Sequence, residues 1–369
     1  MAPTHKFDPD YAVAPGDTLD ELIEERGMSQ TELADRTGLS RKTINEIIKG
    51  KAPLTPETAQ KFELVLQTPA QFWNERERLY RQRLAARAQQ SELKKHLGWE
   101  KNFPYSELAA RKAVPATGNA LHKIWNLCSF FGISQPESID KIFATLTISG
   151  TLFRRQAVGK AKPYLAWTWI RLAELMAKNI ETDAFDSEQF EKCVSAIPGR
   201  TASVHDNQSF NTFIAETIES FRTNGVALVL VPEFAGASIN GAAFWRGDRP
   251  IIAVTLRGKR LDGLVFTLLH EAAHILHHGK KIAVVDAGTD DTTGEGQKIE
   301  READNAAAMW CIAEEFDSQI MKLRNVTELN QLSAEIKVHR DLILGRYARL
   351  TNDYVRFSSQ KMKLSWKVE

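Results

Sequence analysis

The chain has 369 residues, and 48 Lys and Arg stand against 47 Asp and Glu, a net charge of +1. That balance excludes a global field able to hold nucleic acid, so any DNA-reading surface must be local. The hydrophobic share of 43% is that of a globular protein with room for two or three domains, no stretch has the length and purity of a membrane span, and three cysteines (Cys128, Cys193, Cys311) form neither a disulfide framework nor a zinc-finger spacing.

Met1 to Tyr11 is polar and lacks a signal-peptide core, which points to a reducing cytoplasm. Short, well-punctuated helices follow. Leu19 to Arg26 reads as a helix stopped by Gly27. Ser29 to Glu32 has the form of a capping box opening a helix over Gln30 to Arg36. Gly38-Leu39 makes a turn, and Ser40 caps a helix over Arg41 to Ile48, stopped by Gly50. This is the helix-turn-helix plan. Ser40, Arg41, Lys42, Thr43 and Asn45 are then the candidate contacts to phosphates and base edges of double-stranded DNA. The competing reading is a plain helical contact domain, with Arg41, Lys42, Lys49 and Lys51 as a solvated face. Thr55-Pro56-Glu57 opens a helix to Leu66. Thr68-Pro69 opens another, in which Phe72 and Trp73 serve as core or dimer contacts. A homodimer is expected, to match a two-fold operator.

From about Gly16 to Trp73 the chain resembles the HigA-type antitoxin domain, a branch of the XRE-like helix-turn-helix repressors. The motifs that carry the resemblance are Gly-Met-Ser-Gln-Thr-Glu-Leu-Ala (27–34), Ser-Arg-Lys-Thr-Ile-Asn-Glu-Ile-Ile (40–48), Gly-Lys-Ala-Pro (50–53) and Thr-Pro-Glu-Thr-Ala (55–59). It implies operator binding as a dimer, often with autoregulation.

Glu75 to Gln90 is a charged, helix-favouring connector with a basic excess. Pro104 and the Pro115–Gly118 stretch break the pattern. Helices are expected over Leu121 to Phe131, Ile139 to Phe143, Leu165 to Ile180 and Ser187 to Ala196, with Trp125, Trp167, Trp169 and Phe190 in the core. Gly225 to Val231 is apolar and β-branched, hence a buried strand. Gly241 to Trp245 and Ile251 to Thr255 read as a hairpin across Arg246–Pro250. Gly241, Ala242, Ala243, Phe244 and Trp245 are the candidate edge strand for an extended peptide substrate, a wholly internal strand being the alternative.

The chemistry concentrates just after the hairpin, in His270-Glu271-Ala272-Ala273-His274. Positions i and i+4 of a helix share a face, so both imidazoles can ligate one zinc ion. Glu271, beside the ligands, is the candidate general base. Its helix is otherwise apolar, from Leu264 and Val265 to Ile275 and Leu276, and buried polar groups require partners. Glu300 to Ala308 reads as a second, alanine-rich helix. Glu300 is the expected third zinc ligand, and Asp304, one turn on, the carboxylate that orients a ligand imidazole; Glu302 competes as ligand. His277 and His278 either line the site or cap the helix, and capping is the expectation. The polar stretch Val285 to Gln297 is expected to border the site.

Phe266 to Gly279 and Glu300-Arg-Glu-Ala-Asp304 resemble the ImmA/IrrE metallopeptidases, over about Ala227 to Ile312. Weaker likeness extends over the preceding helices and the tail, where Val338 to Arg346 fits the family's closing segment. The resemblance implies a zinc-dependent protease with a gluzincin-like site; several members of that family cleave a partner repressor and thereby switch on genes. The family commonly has an aliphatic stretch ending in proline after the position of Ala307, whereas this chain has Met309-Trp310-Cys311-Ile312.

The expected fold is mainly α with a small β-sheet (α+β). Its expected domains are a helix-turn-helix domain (1–88), a helical connecting domain (89–222), a gluzincin-like metallopeptidase domain (223–320) and a helical tail (321–369). The expected function is a DNA-binding transcriptional regulator fused to a zinc endopeptidase that cleaves a repressor, a toxin partner or itself. The alternative is an autoregulatory antitoxin or repressor whose metal domain is a non-catalytic sensor or scaffold.

Overall fold

A computed structural model describes residues 13–139, 141, 163–237, 239–278 and 295–365. Among them, no helix is long and apolar enough to cross a membrane. Among the described residues the fold is mainly α with one three-stranded sheet, and the chain forms two compact units, Met1–Leu97 and Gly98–Glu369.

The first unit holds α1 (Pro15–Glu25), α2 (Gln30–Thr37), α3 (Arg41–Ile48), α4 (Pro56–Leu66) and α5 (Ala70–Lys94). Local chemistry sets these limits. Ser29, Ser40 and Thr55 each accept a backbone N–H with their side-chain oxygen at a helix start. Gly38 closes α2 at φ 67°, where other residues are strained. Only half of the capping box at Ser29 forms, because the Glu32 carboxylate pairs with Arg36 at 2.6 Å. Leu19, Leu33, Ile44, Phe62, Leu66 and Trp73 make the core, with the Trp73 ring edge-on to Phe62 at 5.5 Å. Trp73 is thus core, while Phe72 is 40% exposed.

The connector is the body of α5. Arg78–Glu75 and Arg81–Glu77 pair at helical spacing along it. Position 88 lies inside this helix, and the compact unit ends beyond it at Leu97.

The second unit begins with α6 (Tyr105–Ala110), α7 (Ala120–Phe131), α8 (Pro163–Ala177), α9 (Ser187–Arg200) and α10 (Asn207–Thr223). Residues 142–143, expected at the end of a helix, lie outside the described residues. The sheet is β1 (Ala227–Leu230), β2 (Gly241–Arg246) and β3 (Arg249–Val254), ordered β1-β3-β2. β1 runs parallel to β3, with Ala227 opposite Ile251, and β2 runs antiparallel to it, with Gly241 opposite Val254. The expected hairpin is present and β2 lies at an edge.

Alternation along the strands builds two cores. Leu228, Ala243, Ile252 and Val254 pack with Phe190, Phe210, Phe221 and the apolar face of α11 (Leu261–Ala273). Val229, Ala242, Phe244, Ile251 and Ala253 pack on the other face with Phe131, Trp167 and Trp169. Helices on both faces explain why all three strands read as apolar runs. They also make the region taken as a separate helical middle one layer of the same unit. Trp125, expected in the core, is 49% exposed, because α7 turns Ile124, Leu127 and Cys128 inward instead.

α12 (Glu295–Cys311), α13 (Asp317–Met321), α14 (Val326–Ile336) and α15 (Arg340–Thr351) complete the unit. α15 packs on α11, and Arg346 holds Asp317 through two 2.8 Å bonds that tie α13 to it.

Candidate metal centre

α11 is apolar because it is enclosed: Leu261, Val265, Leu268, Leu269 and Ala272 are fully buried. Into this surface it carries His270, Glu271 and His274, exposed by 2%, 0% and 0%. Three such groups without partners would cost several kcal/mol, roughly 1–3 each. α12 supplies partners for the two imidazoles. Its buried Ala303 and Ala307 let the helices approach closely, which brings Glu300 and Asp304 over the imidazoles.

The geometry is two-sided. His270 Nε2 lies 3.4 Å from one oxygen of Glu300, His274 Nε2 lies 3.3 Å from the other, and the two Nε2 atoms are 3.0 Å apart. One donor atom from each of His270, His274 and Glu300 lies within 4.8 Å of the others. The Nδ1 atoms turn away. His270 Nδ1 meets Asp304 Oδ1 at 3.0 Å, and His274 Nδ1 meets His278 Nδ1 at 3.3 Å.

This donor set fits zinc. Bonds of roughly 2.0–2.1 Å in a tetrahedron separate ligand atoms by about 3.3–3.4 Å, close to the separations here. Both Glu300 oxygens are buried, and neither accepts a well-formed hydrogen bond. The electrostatics agree. Burial disfavours the Glu300 carboxylate, but the facing His270 and His274 outweigh it and hold its pKa at about 2. Burial likewise opposes charge on His270, yet Asp304 and Glu300, with Glu271 close by, carry its pKa up to about 10. Several carboxylates converging on one buried ring make a pocket that attracts positive charge.

Glu271 faces β2. A Cβ placed on Gly241 would lie 2.9 Å from Glu271 Oε1 and 2.6 Å from Thr267 Cγ2, so only glycine lets the edge strand approach the carboxylate. Ala242, Ala243 and Phe244 continue inward as core, and Trp245 is half-buried.

Two residues depart from the sequence reading. His278 does not cap α11: residues His274–His278 form one π-helical turn, and His278 Nε2 reaches Glu302 Oε2 at 3.2 Å. Glu302, weighed as a rival ligand, is thereby engaged away from the cluster. Burial holds the His278 ring below its usual pKa despite Glu302. His277 lies outside the cluster as well, its ring stacked on Trp310 at 5.7 Å. The signal for His278 was its spacing of four from His274, a repeat of the spacing from His270. Residues 285–294 of the polar stretch lie outside the described residues.

In the first unit, Ser40, Arg41 and Lys42 are exposed at the start of α3, and Thr43 and Asn45 are half-buried. Ser40 is committed locally, since its Oγ accepts from the Thr43 amide at 3.0 Å and lies 2.8 Å from Thr43 Oγ1. Lys42 is 82% exposed, with Glu46 3.8 Å away.

Residues 19–73 match the helix-turn-helix family, and residues 227–346 match the IrrE N-terminal-like domain of peptidase family M78. A curated relative is the "Uncharacterized HTH-type transcriptional regulator YddM" of Escherichia coli (strain K12), 36% identical over 59 residues, which are 16% of this chain and 63% of that protein. The chain therefore spans less than two thirds of that relative's length. An addiction module antidote protein of the HigA family from Coxiella burnetii aligns at 24% identity over 23% of this chain and 92% of its own, with a TM-score of 0.21. This chain thus carries a helix-turn-helix domain followed by an IrrE-like domain.

Proposed function

We propose that this chain, a helix-turn-helix domain joined to an IrrE-like domain, is a cytoplasmic DNA-binding regulator with a zinc-dependent endopeptidase in the same polypeptide. The observation that carries the reading is the convergence of His270, His274 and Glu300 beside the buried Glu271. Those three residues would hold the ion and leave a fourth tetrahedral position open, as catalytic rather than structural zinc sites do. A zinc ion held there would supply Lewis acidity toward a peptide carbonyl and a water molecule. Glu271 takes the proton from the attacking water and passes it to the leaving amine. Asp304 fixes the His270 ring by accepting its Nδ1 proton, which leaves Nε2 as the ligating atom.

The substrate is read as an extended protein segment laid along β2. Gly241 places the start of this edge strand against Glu271, so a peptide paired with β2 would run past the base. A repressor, a toxin partner or another copy of this chain fits that description. On the DNA side, Arg41 and Lys42, with Thr43, Asn45 and the α3 start at Ser40, would contact a two-fold operator as a homodimer.

The deciding experiment pairs metal analysis with Glu271→Gln. The wild-type chain is expected to hold one zinc and to cleave its target, and the variant to hold zinc without cleaving. Stoichiometric zinc with equal cleavage by both would remove Glu271 from the chemistry.

A further inference from the structure

His274 needs an orienting partner for the nitrogen that faces away from the cluster, and among the described residues no carboxylate of α12 contacts it as Asp304 does His270. The π-helical turn His274–His278 supplies it instead: the turn brings His278 back beneath His274, Nδ1 to Nδ1 at 3.3 Å. One of these nitrogens must donate and the other accept. If His274 presents Nε2 to an ion, its proton sits on Nδ1, and His278 Nδ1 is the acceptor. The His278 proton then sits on Nε2, 3.2 Å from Glu302 Oε2, which accepts it. Each proton in the chain has one place, and that assignment leaves His274 Nε2 bare and directed at Glu300, 3.3 Å away.

We propose that His278 and Glu302 are positioning residues of the metal centre, fixing the tautomer and orientation of His274 as Asp304 fixes those of His270. The inference rests on the zinc reading above. The His278 side chain is 10% exposed, and Glu302 is 48% exposed with Lys298 3.8 Å away, so the relay runs from the buried cluster to solvent. His277 stacks on Trp310 beside it, which joins the turn to α12 and keeps His278 opposite Glu302. The two imidazoles are therefore supported by unlike means. His270 has an anion in contact; His274 has a neutral ring with the anion one step further out.

The test measures zinc affinity of the full chain by competition with a chromogenic chelator, for wild type, His278→Leu, His278→Gln and Glu302→Met, with melting of the metal-free proteins alongside. Wild type is expected to bind one zinc. His278→Leu removes the acceptor and is expected to lose about 10–100-fold in affinity, the usual effect of outer-shell changes. His278→Gln can accept through its carbonyl and donate through its amide, and is expected to recover most of that loss. Glu302→Met changes an exposed position, keeps the fold testable if His278→Leu fails to fold, and is expected to weaken zinc several-fold. Wild-type affinity in both His278→Leu and Glu302→Met overturns the proposal, as does an equal loss in His278→Leu and His278→Gln, which would mark a packing role. A wild-type chain that binds no zinc overturns the metal-centre reading itself, a distinct result.

Discussion

Gly241 and Glu271 share one space: a methyl group on Gly241 would stand 2.9 Å from Glu271 Oε1. The first residue of the edge strand and the candidate base are thus in contact across two elements. Gly241→Ala is expected to displace either β2 or the carboxylate, at a cost of about 1–3 kcal/mol of stability. Zinc content should stay at the wild-type level, because the atoms nearest this position belong to Thr267 and Glu271, not to the three ligand candidates. Urea denaturation with metal analysis checks it; unchanged stability would mean that the strand yields freely.

The three converging side chains predict how metal removal acts. A ligand present at about 100 times its Kd adds about 2.7 kcal/mol to stability, so chelation should lower the melting temperature of the wild-type chain by several degrees. Glu300→Ala and His274→Ala should melt at one temperature with or without chelator. Persistence of a full chelator-sensitive shift in Glu300→Ala would exclude it as ligand.

At the start of α3, Arg41 and Lys42 are exposed and Ser40 is engaged in capping. The double substitution Arg41→Ala with Lys42→Ala is expected to weaken operator binding and to flatten its salt dependence by about two charges' worth of slope. Gel-shift titrations at several salt concentrations measure both. An unchanged slope would place the phosphate contacts elsewhere.

Asp341 gives a prediction about pH. It is fully buried and accepts the Met362 amide at 3.0 Å. Burial, with Asp262 adding to it, pushes its carboxyl up to about 6, against the Met362 amide that works the other way. The folded state therefore holds this proton more tightly than the unfolded state. Its contribution is full below pH of about 4 and is lost as pH rises through 6, by about 3 kcal/mol at most. His339, whose Nδ1 accepts the Asp341 amide, is pushed down to about 4 by burial, so its slope over pH 4–6.5 has the opposite sign. The two nearly cancel in the wild type. Asp341→Asn should gain stability above pH 6 and expose the His339 slope below it. Equal urea midpoints for both proteins at pH 7.5 would contradict this.

Much of the candidate metal cluster was legible because its parts are local. The spacing of His270 and His274, and of Glu300 and Asp304, follows from helical periodicity, and periodicity is written in the chain. The helix-turn-helix elements were legible for the same reason, through Ser29, Gly38 and Ser40. The two-sided burial of the sheet was not, since an apolar run reads alike in a sheet covered once or twice. The exposure of Trp125 was likewise hidden, because which face of α7 turns inward depends on what lies opposite.

By itself, then, the sequence determined which residues can chelate, which can cap and where helices start, all matters of side-chain chemistry and short-range spacing. Only the tertiary structure decided how those residues are used. It set Glu300 rather than Glu302 against the Nε2 atoms, bound His278 to Glu302 and pressed Gly241 against Glu271. Each choice depends on the packing of α12, or of β2, against α11. Such packing follows from burying apolar surface over the whole unit, which no local pattern encodes.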